Sequence, residues 1–501
     1  MEKNGDSKFR LFFFLKMETT LIKLDHETRR KISETRVDQR HNICIQGPPG
    51  AGKTTIVSDL AEKGHKILYV TLNNALASYF GKKYEKFPNV FCSTVDSYTY
   101  LACIQLLGEI EIAQDPLTEE DEGIIRSLER YSKKYFDKPL GFGPTEDLNK
   151  IVLEIKAGNK TVQKKYLTWP IIRRIAFESE YLTQIINEIQ QFSSSKLEFL
   201  KTCDLVIVDE AQDLGEFFTM IILKHISPNK TVMWLGDDGQ SIYSNSSNIF
   251  SIKPTVFDKY LLNPKPKLED FVRYRLRRSF RLPDSICRML RFMGSGNYIG
   301  DDTKDEEFVV KNQENLIGEE IPFLFYTNAN MFKFAFNYGI THQQTFTINS
   351  FQAKKNSLFS QIQNYEEKRE SCDDSDDDIN YPRELFNIFD KKVSSTSIFT
   401  MFARLEERMA SMKTTDYVLG TIHSFKGAEF EVCRIYVDVW DDVYYRKNTS
   451  KKRKLLNVCL SRCTKKIIVD GDVGKELSTI HFFSKLPEDC KSVIQSFSSH
   501  L

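Results

Sequence analysis

A glycine-rich loop between a predicted strand and a predicted helix constrains this chain more than any other feature of its sequence. The apolar run Ile43–Ile45 leads into residues 47–54, which match the pattern G-x-x-x-x-G-K-[ST]. Glycines let backbone N–H groups close around phosphate oxygens, and the positive end of the following helix attracts the same anions. Lys53 is expected to reach the β- and γ-phosphates, and the Thr54 hydroxyl to bind Mg²⁺. The predicted ATP-binding positions are Gly47, Pro48, Pro49, Gly50, Ala51, Gly52, Lys53, Thr54 and Thr55.

A second buried strand ends in acidic residues that suit the metal of the same site. The apolar run Val206–Val208 is followed directly by Asp209 and Glu210. Asp209 is predicted to hold Mg²⁺, directly or through water, and Glu210 to polarise the attacking water. A solvated loop would explain these acids by themselves, but not their occurrence together with the phosphate-binding loop. The pair of motifs therefore predicts hydrolysis of the bound nucleotide.

Continuous apolar runs predict a parallel sheet covered by helices on both faces, because a strand buried on both sides does not alternate with polar residues. One group of runs occurs before residue 240 and another after residue 320, so two α/β domains are expected. Between residues 100 and 200 the pattern is polar and helical. The runs lie at residues 43–45, 66–71, 203–208, 232–235, 321–326, 432–437 and 466–469.

Composition excludes several classes of protein. Lys plus Arg number 70 and Asp plus Glu number 69, so the net charge of +1 excludes binding of nucleic acid by bulk charge, though not a local basic groove. No apolar run approaches the roughly 20 residues that cross a bilayer, and Phe9–Lys16 is too short for a signal-peptide core. The 10 cysteines form no CxxC pair, which predicts free thiols in a soluble cytoplasmic or nuclear protein that is not secreted.

Further segments resemble, in sequence and in order, the motifs of the superfamily 1 helicases of the UvrD/Rep/PcrA type. Four of these segments are weak signals individually, but the ordered set is a strong one and spans residues 24–472. The matching segments are Gly47–Thr55, Asp209–Asp213, Gly236–Tyr243, Arg278–Arg281, Gly420–Phe430 and Val458–Arg462.

The resemblance implies further roles at the ATP site. Gln212 and Gln240 match the residues that sense the γ-phosphate, and Gln240 is counted among the catalytic positions. Arg281 and Arg462 match two catalytic arginines of the second motor domain, whose guanidinium groups stabilise charge during phosphoryl transfer. Glu429 matches the family's ribose-binding glutamate.

The resemblance also implies contacts to single-stranded nucleic acid, expected to be DNA with movement in the 3′ to 5′ direction. The matching positions are Asn74, Thr94, Tyr243, Thr421 and His423. Tyr243 is a candidate for stacking on a base, because the segment after it lacks the tryptophan of the family.

The sequence departs from the family pattern at several positions. Thr28 falls where the family has a glutamine that recognises adenine, and Asp96 falls where a histidine is usual. The basic cluster at residues 451–454 fits a solvated helix start, a phosphate-contacting patch or a nuclear-localisation signal. The motifs that contact the strand are therefore weaker than those of the ATP site.

By this resemblance the fold class is α/β, with two RecA-like parallel-sheet motor domains, a helical insertion in the first and a reduced insertion in the second. The expected organisation is a leader at 1–23, the first domain at 24–99 and 200–252, its insertion at 100–199, the second domain at 253–350 and 415–501, and its insertion with an acidic loop at 351–414.

The sequence therefore predicts an ATP-dependent DNA helicase or translocase that uses Mg²⁺, moves along single-stranded DNA and separates strands. One alternative is a nucleotide-gated regulatory ATPase that binds nucleic acid without processive unwinding. Another is an RNA helicase of the same superfamily. Neither a membrane association nor a particular loading partner is indicated.

Overall fold

The chain divides into two compact units, residues 1–278 and 279–501, in a computed structural model. Within the described part of the chain, no helix is both long and apolar enough to span a membrane. The structure describes residues 25–32, 34, 42–71, 74–108, 110, 153–154, 157–160, 172–173, 175–176, 181–188, 190–192, 194–214, 216–242, 271–292, 298–301, 308–310, 320–341, 345–371, 382–389, 392–412, 415–426, 428–436 and 449–469.

The first unit is built on a parallel sheet of six strands in the order β3-β2-β4-β5-β1-β6. Every neighbouring pair in it is parallel, as the continuous apolar runs predict. Loops that follow these strands therefore gather at one edge of the sheet, where ligands of open α/β sheets bind. The strands are β1 Asn42–Gln46, β2 Ile67–Thr71, β3 Val90–Thr94, β4 Leu205–Val208, β5 Thr231–Gly236 and β6 Phe271–Arg275.

Helices cover both faces of this sheet, because successive strand residues pack into two different cores. Ile43 and Ile207 belong to one buried cluster, whereas the adjacent Cys44 and Val206 belong to the other. Residues 25–32 are also helical. The helices of the first unit are α1 Lys53–Glu62, α2 Asn74–Lys83, α3 Val95–Leu107, α4 Tyr181–Asn187, α5 Ser195–Thr202 and α6 Glu216–Ile221, followed by a π-helical turn Ile222–Ile226.

The second unit has its own parallel sheet of six strands, in the order β11-β12-β10-β13-β14-β9, and a two-stranded sheet of β7 and β8. Its strands are β7 Arg278–Pro283, β8 Ile299–Asp301, β9 Phe308–Val310, β10 Ile321–Phe325, β11 Phe346–Ile348, β12 Tyr417–Thr421, β13 Phe430–Ile435 and β14 Cys463–Val469. Its helices are α7 Asp284–Phe292, α8 Asn328–Thr341, α9 Phe351–Ser371, α10 Arg383–Phe389, α11 Ser395–Ser411 and α12 Thr449–Leu460.

The predicted fold class is confirmed, but the structure places two segments differently from the expected organisation. Strand β6 pairs with β1, so residues 271–275 complete the first sheet instead of opening the second domain. Helices α9, α10 and α11 pack against the second sheet, since Leu358, Leu385 and Phe402 share a core cluster with Phe323 of β10. The segment expected to be a reduced insertion thus supplies part of that core. The predicted leader at 1–23 and most of the predicted helical insertion lie outside the described residues, so both stay predictions.

Candidate nucleotide-binding site

The glycine-rich loop connects the carboxyl end of β1 to the first turn of α1. Gly50 has a φ of 70° and Gly52 a φ of 76°, the left-handed region that residues with a Cβ rarely adopt. Gly52 immediately precedes Lys53, the first residue of α1. The backbone can therefore turn sharply enough to direct the amino end of α1 towards the loop, which is the geometry of an anion-binding helix start.

Lys53 lies across this loop. Its Nζ donates hydrogen bonds to the carbonyl oxygen of Gly47 at 2.7 Å and to that of Pro48 at 3.0 Å. The two carbonyls hold the ammonium group over the backbone that is predicted to surround phosphate. The predicted loop residues 47–55 are thus brought together with the predicted cation in one local structure.

Asp209 follows the last residue of β4 and keeps part of its surface exposed. Its backbone N–H donates to Val70 O at 2.9 Å, and its carboxylate accepts a hydrogen bond from the hydroxyl of Tyr69. The surrounding protein still desolvates the carboxylate, and this burial raises the pKa of Asp209 to about 6. The charge of Glu210 adds to the rise in pKa, whereas the Tyr69 hydrogen bond and Lys53 oppose it.

Asp209→Asn is expected to raise the melting temperature of the nucleotide-free protein at pH 7.5. Folding raises this pKa from 3.8 to about 6, so the folded chain holds the proton more tightly and the ionised form destabilises the fold above that range. Calorimetry at several pH values checks this, and the gain should shrink as the pH falls from 6 towards 4. A lower melting temperature for the variant at pH 7.5 would contradict the cause given for the pKa.

The donors at this site fit a magnesium ion. Thr54 offers a hydroxyl at the start of α1, and Asp209 offers a carboxylate at the end of β4. Mg²⁺ is bound in proteins by one or two such oxygen ligands together with phosphate oxygens and water. When bound with a nucleotide, Mg²⁺ would neutralise part of the phosphate charge.

Glu210 adopts a left-handed backbone conformation with a φ of 51°. Only Glu320 and Ser350 share a positive φ among the described non-glycine residues. Such conformations cost about 1–3 kcal/mol and cluster at functional sites, where the surroundings enforce them. The strained backbone sits at the position where the sequence predicts the group that activates water.

Buried hydrogen bonds connect Glu210 to the segment after β5. Gln212 Nε2 donates to the Glu210 carboxylate, and Gln212 Oε1 accepts the backbone N–H of Asp237 at 3.0 Å. The Asp237 carboxylate accepts Gln240 Nε2 at 2.9 Å and the N–H of Gly239 at 3.0 Å. Gln212, Asp237 and Gln240 are each at most 3% exposed. The predicted base and both predicted γ-phosphate sensors therefore belong to one network, in which Asp237 is a member that the sequence analysis missed.

A pocket beside the loop is lined by a residue that the sequence analysis also missed. Arg29, Ile32, Gly52 and Thr55 are among its lining residues, whereas Thr28, the position aligned with the family's glutamine, is not. Arg29 Nε donates to Asp25 Oδ2 at 2.7 Å, and the same buried carboxylate accepts the backbone N–H of Arg277 at 2.6 Å. The sequence signal that could have identified Arg29 is its position directly after Thr28, which aligns with the family's glutamine.

In the second unit, the three residues predicted to act at the ATP site, Arg281, Glu429 and Arg462, lie close to one another. Arg281 of β7 forms an ion pair with Glu429, which precedes β13. Arg462 follows α12 and is 3% exposed, and its guanidinium donates to Val458 O at 3.0 Å and to Ala428 O at 3.1 Å. Arg281, Glu429 and Arg462 are thus linked through residues 428–429. The ring of Phe280, next to Arg281, is 45% exposed, and the sequence analysis predicted no role for it.

The predicted nucleic-acid contacts differ in their exposure. Asn74, the first residue of α2, is exposed, and His423, in the turn after β12, is partly exposed. Thr94 and Thr421 are buried, at 5% and 7% exposure, and each side chain accepts a hydrogen bond from the backbone N–H three residues later. Tyr243 lies outside the described residues.

Asp96, at the position where the helicases that the sequence resembles have a histidine, contacts Arg173, a residue of the segment predicted to be a helical insertion. Its carboxylate accepts two hydrogen bonds from Arg173, at 2.8 and 2.9 Å. The Arg173 guanidinium also lies over the Phe218 ring, 4.7 Å from its centroid. Asp96 therefore joins the start of α3 to Arg173 and, through it, to Phe218 of α6.

Together these features describe an α/β protein with a phosphate-binding loop, and comparison with known proteins agrees with that class. Residues 30–246 match the family model of an AAA domain, AAA_19. This stretch contains the loop, Asp209, Glu210 and Gln240, so the first unit is similar to AAA domains. No curated protein matches the chain.

Two solved structures that match the chain are viral helicases of low similarity. A structure of the PRRSV helicase is 11% identical to this chain, with a TM-score of 0.29. The match covers 90% of this chain and 55% of the PRRSV helicase chain. Arterivirus nonstructural protein 10, also a helicase, is 10% identical to this chain, with a TM-score of 0.32. The match covers 93% of this chain and 64% of the arterivirus chain. The chain thus spans less than two thirds of the length of either structure.

Proposed function

We propose that the chain is an ATP-hydrolysing helicase or translocase of superfamily 1 that acts on single-stranded nucleic acid. The observation that carries this proposal is the buried network from Glu210 through Gln212 and Asp237 to Gln240. It joins the predicted water-activating group to the segment after β5, so a change at the γ-phosphate can be transmitted along the sheet edge. A simple nucleotide-binding loop does not require such a network.

The residues of the first unit divide the work on the nucleotide. The loop N–H groups and Lys53 would bind the phosphates, and Thr54 and Asp209 would hold Mg²⁺. The Glu210 carboxylate would accept a proton from the attacking water. Its hydrogen bond from Gln212 restrains the carboxylate, so loss of the γ-phosphate would be felt at Gln212 and Gln240.

We propose that Arg281, Arg462 and Glu429 of the second unit take part in ATP hydrolysis, as their motifs imply. The Arg281 guanidinium already binds a carboxylate oxygen of Glu429, and a phosphate oxygen offers the same kind of acceptor. Arg462 is held by backbone carbonyls, which leaves its role as the second catalytic arginine resting on the motif alone. Glu429 is half exposed, at 51%, as a group that binds a ribose hydroxyl needs to be.

We further propose that Asn74 and His423 contact the strand directly. Both expose polar side chains at the carboxyl ends of parallel strands, where loops form binding surfaces. Thr94 and Thr421 would act by holding their turns in place, since both hydroxyls accept backbone N–H groups. DNA as the substrate and 3′ to 5′ movement rest on the family resemblance.

The test of the proposal is ATP turnover with and without single strands. Oligo-dT is expected to raise kcat of the full chain about tenfold or more, because nucleic acid completes the active arrangement. Oligo-rU run in parallel separates the substrates, since stronger stimulation by it would identify an RNA helicase. A Lys53→Ala preparation controls for contaminating ATPases.

A regulatory ATPase is the second candidate, and the contacts of Asp96 favour it. Asp96 is paired with Arg173, and Thr94 is buried as a helix cap, so this predicted strand-contacting segment is engaged in internal contacts. ATP binding that changes the affinity for nucleic acid, without stimulated turnover or unwinding, would support this candidate over the motor.

A further inference from the structure

A buried tyrosine hydroxyl reaches the Asp209 carboxylate from the neighbouring strand. Tyr69 of β2 is 0% exposed, and its Oη donates a hydrogen bond to Asp209 Oδ2. Tyr69 is in register with Ile207 of β4, two residues before Asp209. Residues two apart on a strand share a face, and they are separated by about 7 Å, which a tyrosine side chain can span. The register of two central strands therefore sets this contact.

The ring of Tyr69 is fixed by two other aromatic side chains. Its centroid lies 4.9 Å from that of Phe80 and 5.4 Å from that of Tyr84. Tyr84 is 2% exposed, and its hydroxyl donates to Thr54 O at 3.1 Å. The same aromatic group thus contacts both segments that carry the proposed magnesium ligands.

The Tyr69 hydroxyl is a polar group in a largely apolar strand. Of the other residues of β2, Ile67, Leu68 and Val70 are apolar and buried, and Thr71 is polar and buried. A phenylalanine would fill the same volume without needing a hydrogen-bond acceptor. The hydroxyl donor restrains rotation of the Asp209 carboxylate.

We propose that Tyr69 is a positioning residue that orients the Asp209 carboxylate for the magnesium ion of a bound nucleotide. The inference rests on the proposed ATP site, and Tyr69 acts through Asp209 without touching nucleotide or metal. Groups that orient metal ligands in this way typically change metal affinity by 10–100-fold when they are removed.

The test is Tyr69→Phe in the full chain, with a fluorescent ADP analogue as the probe. The Kd for the analogue is measured in EDTA, and the half-saturating Mg²⁺ concentration is then measured at fixed analogue. Half-saturation is expected to rise about tenfold or more while the Kd in EDTA stays at the wild-type value. An unchanged half-saturation, or an equal loss of affinity in EDTA, would overturn the inference.

Tyr98→Phe is the matched control. Tyr98 is also buried, at 4% exposure, and its hydroxyl makes no hydrogen bond within the described part of the chain. Its removal should leave both constants unchanged. A wild-type protein whose binding of the analogue shows no response to Mg²⁺ would instead defeat the proposed ATP site, which is a distinguishable outcome.

A double-mutant cycle separates positioning from general packing. If Tyr69 acts only through Asp209, then adding Tyr69→Phe to Asp209→Asn leaves half-saturation where Asp209→Asn already put it. Two losses that multiply would show that Tyr69 acts independently of Asp209, and the inference would be rejected.

Discussion

Lys53→Ala is expected to lower kcat for ATP hydrolysis by about 10²–10³-fold, the cost of removing one preorganised group that stabilises developing charge. The ammonium is anchored at 2.7 Å from Gly47 O, directly over the loop that is predicted to surround phosphate. The affinity for ATP should fall as well, because the phosphates lose a point charge.

The fold should survive this substitution. Lys53 begins α1, and alanine is the best helix former. Thermal unfolding should therefore be nearly unchanged, while steady-state kinetics records the loss of activity. Lys82→Ala removes an exposed lysine from the far end of α2 and serves as the matched control. Near-normal turnover by Lys53→Ala would remove the basis for placing ATP in this loop.

Glu210→Gln is expected to lower kcat by about 10²–10⁴-fold, the usual contribution of a positioned general base, while ATP still binds. The amide oxygen of glutamine can accept the hydrogen bond from Gln212, so the network to Asp237 and Gln240 should persist. The backbone strain at φ 51° is also retained, since a glutamine has the same Cβ. The variant should therefore accumulate bound ATP.

Single-turnover kinetics together with equilibrium binding measures this second effect. The rate of the chemical step should fall while the Kd for ATP stays within a few-fold of the wild-type value. Glu62→Gln, at the exposed last residue of α1, is a control that changes a glutamate in the same unit. A change confined to KM would show that Glu210 binds substrate and does not activate water.

Local patterns in the sequence were sufficient to predict much of the first unit. The run Ile43–Ile45 and the glycine pattern after it predicted a strand, a turn and a helix, because buried parallel strands are continuously apolar. The acids after Val208 were predicted at a strand end, and Asp209 and Glu210 lie there. These are short-range properties, determined by the residues next to each motif.

Long-range pairing was not predictable in the same way. Residues 271–275 alternate in burial and carry charge, so nothing local shows that they pair with β1. Arg462 illustrates the same difficulty for a site residue. Its motif predicts a guanidinium that binds phosphate, but its hydrogen bonds to Val458 O and Ala428 O depend on how α12 ends beside β13.

The sequence by itself determined the phosphate-binding loop, the acidic strand end and the α/β class, because each follows from residue types at fixed short spacings. Only the tertiary structure decided that Tyr69 lies against Asp209 and that Asp237 joins Gln212 to Gln240. The physical reason is the register of parallel strands, which brings together side chains more than a hundred residues apart, as in the pairing of Tyr69 with Ile207. Parallel strands are joined by long crossover connections, so no turn in the sequence reveals that register.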